Sequence, residues 1–251
     1  MVTGGSSGIG LACCAEVVSR GGFAVVVDND RATGEEVASQ FGSDGMFWPF
    51  DVTQDGQWAT ACEEVVRRKG RLNGLVNCAS ADSHDDNVEE LSDAEWRRLM
   101  AINLDSVFLG CRHAIRTMRK LSCGGAIVNI SSVFGLVGDG NALAYSTSKG
   151  GVRMLTKSVA LYCAREKLNI RCNSVHPGFV DAGMLAARND APRAAESEGV
   201  QIVAMPPSSE LPLGRIAAPS EIAAVVQFLL SAESDYITGA EYVVDGGFTA
   251  T

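Results

Sequence analysis

The chain has 251 residues, 46% hydrophobic and 20% charged, which bounds it to one large α/β domain or two small ones with ample apolar material for a core. A formal net charge of −9 disfavours nucleic acid or an anionic membrane surface as the main partner. No run of 18 apolar residues occurs and no signal-peptide pattern follows Met1, so a soluble, cytoplasmic protein is expected. Eight cysteines form no C-x-x-C pair and only three histidines are present, so reduced thiols and no metal site are expected.

The chain opens on "VTGGSSGIGLA", Val2 to Ala12, a very short strand running into a turn and then a helix from near Gly8. Gly4 permits a tight turn, Gly8 lets backbone N–H groups approach an anion, and Gly10 lets helix and strand pack closely. A pyrophosphate would sit at the positive end of the helix, beside Ser7 and Ile9. Alone, G-x-x-x-G-x-G is weak evidence, and a plain turn explains it nearly as well. Asp28 adds to it. It ends the next apolar run, Phe23 to Asp28, 24 residues after Gly4, where a carboxylate accepts hydrogen bonds from an adenine ribose. The same charge repels a 2′-phosphate, so NAD is expected over NADP. Ser7 supplies no cation against that repulsion, although Arg31 lies nearby.

Further on, the pattern alternates. Helix Arg31 to Phe41 precedes strand Met46 to Phe50; helix Gln54 to Lys69 precedes strand Gly74 to Ala79. One long helix, Ala94 to Lys120, leads to strand Ala126 to Ser131, and helix Tyr145 to Arg165 to strand Ile170 to Val175. Helix Pro219 to Leu230 and strand Glu241 to Asp245 close the series. Regular β-α alternation implies a single α/β domain: a doubly wound, Rossmann-type parallel sheet of about seven strands, with helices on both faces. Ala182 to Leu211 breaks the rhythm and reads as a substrate lid or as a disordered insertion.

The chemistry is carried by "SSVFGLVGDGNALAYSTSKGG". Tyr145 and Lys149 are four residues apart in a helical pattern and share a face. A phenol near pKa 10 is a poor base at neutral pH. An ammonium about 4 Å away is worth about 4 kcal/mol at an effective dielectric near 20, so Lys149 is expected to pull the phenol toward neutrality. Ser132, at the end of its strand, can hydrogen-bond a substrate oxygen there. Each residue also has a bland reading, as a helix tyrosine, a snorkelling lysine and a turn-forming serine.

Together these residues resemble the short-chain dehydrogenase/reductase family, over nearly the whole chain. Thr3, Gly4, Gly8 and Gly10 match its T-G-x-x-x-G-x-G motif, Tyr145 and Lys149 its Y-x-x-x-K, and Ser132 the serine 13 residues earlier. The resemblance implies Tyr145 as acid/base, Ser132 orienting the substrate oxygen, and Lys149 binding the nicotinamide ribose. It also implies Asn103 holding a water of a proton relay. Asp51 and Val52 match a pair that contacts adenine, Asn77 an asparagine beside the cofactor, and Pro177, Gly178 and Val180 a segment that meets the nicotinamide. Three departures stand out: Cys78 and Ser80 in "NCAS", Ala182 in place of a common threonine, and a first strand with few residues ahead of "VTGG".

The neighbours Phe134, Leu136, Val137, Phe179, Met184, Leu185 and Met205 suit a small apolar alcohol or ketone. Several segments resemble bacterial members acting on alicyclic alcohols and steroids. An acyl-thioester reductase of the same family and a nucleotide-sensing protein without turnover remain as alternatives. The helix from Pro219 and the strand "EYVVDGG" resemble a subunit contact, so a homotetramer is expected, with a dimer as the alternative.

Overall fold

The computed structural model describes residues 1–82, 87–181 and 211–250. Seven strands form one sheet in the order β3-β2-β1-β4-β5-β6-β7, with every pairing parallel. They are β1 (Val2–Thr3), β2 (Ala24–Asp28), β3 (Gly45–Pro49), β4 (Gly74–Asn77), β5 (Gly125–Ile130), β6 (Ile170–Pro177) and β7 (Glu241–Val244). The intervening helices are α1 (Gly8–Ser19), α2 (Arg31–Gln40), α3 (Asp55–Lys69), α4 (Asp93–Met100), α5 (Ser106–Leu121), α6 (Leu143–Arg165) and α7 (Pro219–Leu230).

Alternation along the strands divides the apolar residues between two cores. Val25 and Val27 of β2 join Trp58, Met118 and Val152 from α3, α5 and α6. Ala24 and Val26 point the other way, toward Cys14 of α1, Val37 of α2 and Ile222 of α7. Strands covered on both faces are apolar nearly throughout, as the valine run of β2 is. Helix ends follow local chemistry. Gly70 takes φ +74° after α3, with Arg67, Arg68 and Lys69 in its last turn, and the Ser92 hydroxyl accepts from the Glu95 N–H to start α4.

The strand order reverses between β1 and β4, which opens a crevice at the carboxyl ends of the strands. Two element ends differ from the sequence reading for identifiable reasons. β4 stops at Asn77 because the N–H groups of Cys78 and Ala79 leave the ladder and bond Thr3 Oγ1 at 3.0 and 3.1 Å. β6 continues to Pro177 because His176 and Pro177 pair with Val243 and Val244. The long helix expected from Ala94 to Lys120 is interrupted by a π turn at Ala101–Asp105. No described helix is long and apolar enough to cross a membrane.

Candidate active site

A cleft of about 670 Å3 occupies the crevice. Its wall on one side is the glycine turn. Gly4 has φ +63° and Gly8 φ +49°, and a Cβ at Gly10 would lie 2.0 Å from Gly4 O. These positions therefore require glycine. Ser7 stands at the N-cap of α1 without a side-chain cap bond, and the first turn carries no acidic residue. Gly4, Ser7, Gly8, Ile9 and Gly10 all line the cleft. Uncapped N–H groups at a helix start, in a cradle that only glycine permits, fit a phosphate-bearing cofactor.

Asp28 lines the same cleft from the end of β2. Its Oδ2 accepts from Ser6 Oγ at 2.5 Å and Ser6 N at 3.3 Å, and Oδ1 from the N–H groups of Asn29 and Asp30. Sequence reasoning missed Ser6, which ties the carboxylate to the glycine turn. Its signal was only a small hydroxyl between two motif glycines. Arg31 points elsewhere, to Glu35. Asp51 and Val52 also line the cleft. The Asp51 carboxylate is folded back onto Thr53 at 2.8 and 2.9 Å, and Val52 O accepts from Trp58 Nε1.

On the far side, Pro177, Gly178 and Val180 line the cleft. A Cβ at Gly178 would lie 2.8 Å from Asp245 Cα. The bridge to Ala217 uses the Phe179 carbonyl and the Asp181 N–H, which leaves the Val180 N–H directed away from that bridge.

Between these walls stand Ser132, Tyr145 and Lys149. Ser132 follows β5 and starts a short 3-10 turn, its Oγ accepting from the Phe134 N–H at 3.2 Å. Its side chain lies beside the Tyr145 phenol and favours the charged form of that group. Lys149 is 2% exposed, donates from Nζ to Ile130 O at 3.2 Å, and lies 5.4 Å from the centre of the Tyr145 ring. The expected lowering of the phenol does not occur. Burial pushes Tyr145 up to about 12, against a smaller downward pull from Ser132, while Asp82 and Cys78 add to the rise. Burial also brings Lys149 down to about 8. Desolvation of both groups outweighs any attraction between them.

Two expected site residues lie behind the wall rather than in it. Asn77 is 3% exposed and donates to Asn129 Oδ1 at 2.8 Å, bracing β4 against β5. Asn103 is fully buried in the π turn. Its Oδ1 accepts from Ala81 N at 2.8 Å and Ser80 Oγ at 3.2 Å, and its Nδ2 donates to Ala81 O at 2.8 Å. The π turn carries this amide to the strand β4 exit, where a regular helix would have carried it elsewhere. Ser80, a departure from the family pattern, thus bonds Asn103. Cys78 lines the cleft with its thiol pushed up to about 12 by burial, so it is protonated.

The apolar side of the cleft is aromatic. Phe134 and Phe179 meet edge to face at 6.2 Å, and Phe179 meets Phe248 at 5.4 Å. Phe248 was not expected from the sequence, because it comes from the far end of the chain. Leu136 and Val137 lie outside the cleft lining, and Val137 is exposed. Met184, Leu185, Met205, Ala182 and the rest of the stretch expected as a lid, up to residue 210, fall outside the described residues. All eight cysteines are free thiols. Among the described residues no His, Cys, Asp and Glu group suits a metal ion.

A family model described as enoyl-(acyl carrier protein) reductase matches residues 4–249. The chain is 36% identical to the NADP-dependent (R)-specific alcohol dehydrogenase of Lentilactobacillus kefiri, over 100% of this chain and 96% of that protein. It is 39% identical to the cyclopentanol dehydrogenase of Comamonas testosteroni, with the same coverage. It is 36% identical to the 3-alpha-(or 20-beta)-hydroxysteroid dehydrogenase of Mycobacterium tuberculosis, over 100% of this chain and 88% of that protein. The chain belongs to the short-chain dehydrogenase/reductase family. It is an oxidoreductase of that family's alcohol dehydrogenase kind, and the family uses a nicotinamide cofactor.

Proposed function

We propose that this chain is an NAD-dependent dehydrogenase that interconverts a secondary alcohol, alicyclic or steroidal, and its ketone. The observation that carries this reading is that Ser132, Tyr145 and Lys149 line the same cleft as the glycine turn and Asp28. When bound, the oxidised nicotinamide supplies the hydride acceptor and a positive charge. In its phenolate form Tyr145 Oη takes the hydroxyl proton as the carbinol carbon loses hydride, in ketone reduction the neutral phenol returns that proton, and Ser132 Oγ holds the same oxygen by a hydrogen bond. Lys149 Nζ, with one donor on Ile130 O, keeps two for a ribose hydroxyl. Asp28, already fixed by Ser6, offers its remaining lone pairs to the adenine ribose and repels a 2′-phosphate. The glycine turn, Asp51, Val52, Pro177, Gly178 and Val180 form the rest of the nucleotide site. Asn103 acts by holding Ser80 and Ala81 in the cleft wall.

Apolar walls from Phe134 and Phe179 favour an uncharged ring over a phosphorylated sugar. Self-association into a homotetramer is consistent with apolar side chains left on the surface: Met154 and Leu161 of α6 are 60% and 72% exposed, and Val243 lies on the edge strand β7. We assign the protein to the cytoplasm.

The test is turnover of cyclic alcohols and hydroxysteroids with NAD and with NADP, for wild type and Tyr145→Phe. Oxidation of a cyclic alcohol with NAD preferred, lost by 10²-fold or more in Tyr145→Phe while NADH still binds, is the expected result. Equal efficiency with NADP removes the Asp28 argument. A 3-oxoacyl-thioester reductase is the second reading, in keeping with a family model described by an acyl-thioester substrate, an enoyl one; reduction of a 3-oxoacyl thioester by NADPH in preference to any alcohol would establish it.

A further inference from the structure

Neither the sequence motifs nor the proposed mechanism gives His176 a task. It is fully buried near the end of β6, immediately before the Pro177–Gly178 segment of the cleft wall. Its Nδ1 lies 3.1 Å from Ser132 O and its Nε2 lies 2.8 Å from Ser174 Oγ. Residues 174 and 176 share a face of the strand, so β6 itself sets this alignment.

The hydrogens follow from the partners. Ser132 O is an acceptor only, so Nδ1 must carry a proton. Ser174 Oγ has no other partner among the described residues, and it therefore donates to Nε2. A neutral ring protonated at Nδ1 satisfies both contacts. Burial disfavours the charged ring in the same sense and prevails; the Ser132 carbonyl and Glu241 of β7 oppose it, and Arg153 and Lys149 of α6 support it. Glu241 is itself engaged by Arg153 and Lys157.

The pinned atom matters because of where it is. Ser132 O accepts from His176 Nδ1 and from the Gly135 N–H at 3.0 Å, so its peptide is held on two sides. The hydroxyl of that residue lies in the cleft beside the Tyr145 phenol. We infer that His176 is a positioning residue: its Nδ1–H fixes the Ser132 peptide so that the Ser132 hydroxyl meets Tyr145, and it links that group to the Pro177–Gly178 wall. This rests on the proposed dehydrogenase reading for its kinetic consequence, but not for its geometry.

The decisive comparison is between His176→Asn, which keeps a donor near the Nδ1 position, His176→Gln, which moves it toward the Nε2 position, and His176→Leu, which has none. Wild type and variants are compared for kcat, KM and NADH binding. His176→Asn should keep kcat within about threefold of wild type, while Leu and Gln lose about tenfold or more, with NADH binding changed less than about twofold; misplacement near 1 Å suffices for such losses. The alkaline limb of the pH–rate profile should also move upward in Leu and Gln, as Ser132 no longer favours the charged form of Tyr145. Wild-type kcat in the Leu variant overturns the inference, as does an Asn variant that falls as far as Gln. If Leu does not fold, Asn against Gln decides in the same way. A readout independent of turnover is the imidazole ¹⁵N spectrum of wild type. At about pH 7.5 His176 should be neutral and protonated at Nδ1, and the other tautomer overturns the assignment even where no alcohol is oxidised.

Discussion

Lys149 makes the cost of this site measurable. It is 2% exposed, and burial lowers its amine from the ordinary 10.5 to about 8. At about 1.4 kcal/mol per pH unit, holding that charge inside the folded protein costs about 3 kcal/mol at neutral pH. The unfolded amine keeps its proton up to 10.5 and the folded amine only up to about 8. Between those values the unfolded chain binds more protons, so stability rises with pH, and below about 8 the penalty is complete. Lys149→Met removes the charge and keeps the stem, at the expense of one hydrogen bond to Ile130 O, worth about 1 kcal/mol. The variant should therefore be more stable than wild type by about 2 kcal/mol at pH 7, in proportion to that balance of charge and hydrogen bond. The gap should shrink as pH rises through about 8, reach zero before 10.5 and then reverse, because only the lost bond to Ile130 O, about 1 kcal/mol, remains once the amine is neutral in both states. Urea unfolding followed by tryptophan fluorescence at several pH values measures it, and the same variant should have lost turnover. A less stable variant at pH 7, or a gap that ignores pH, refutes the reasoning.

Other outcomes follow from the same geometry. Gly10→Ala places a methyl 2.0 Å from Gly4 O and should abolish NADH binding, read by fluorescence titration, with a fall in melting temperature. Asp28→Asn keeps the bond to Ser6 but removes the charge, so the ratio of kcat/KM for NADP over NAD should rise roughly tenfold or more, about the value of one charged hydrogen bond. Asn103→Ala breaks three buried bonds to Ser80 and Ala81 and should cost about 2–4 kcal/mol in urea unfolding, with kcat falling as the cleft wall loosens. With its phenol near 12, Tyr145 is protonated at neutral pH, so ketone reduction should stay level from about pH 6 to 8 while alcohol oxidation climbs; pH profiles of kcat/KM in both directions check this.

The local rules written in the chain were enough for the sheet, the helices and most of the cleft. Valines in β2 announce a strand covered on both faces, Gly4, Gly8 and Gly10 announce a turn no other residue can make, and a four-residue step puts Tyr145 and Lys149 on one face. Those are short-range properties, set by sterics and periodicity. What the sequence could not settle depends on residues brought together from far along the chain. Ser6 reaches Asp28 and His176 reaches Ser132 only after the strands align, and the π turn exists to deliver Asn103 to Ser80 and Ala81. The sign of the Tyr145 shift was misjudged for the same reason. The distance to Lys149 is local, but the amount of water removed from both groups is a property of the packed whole, and here burial prevails.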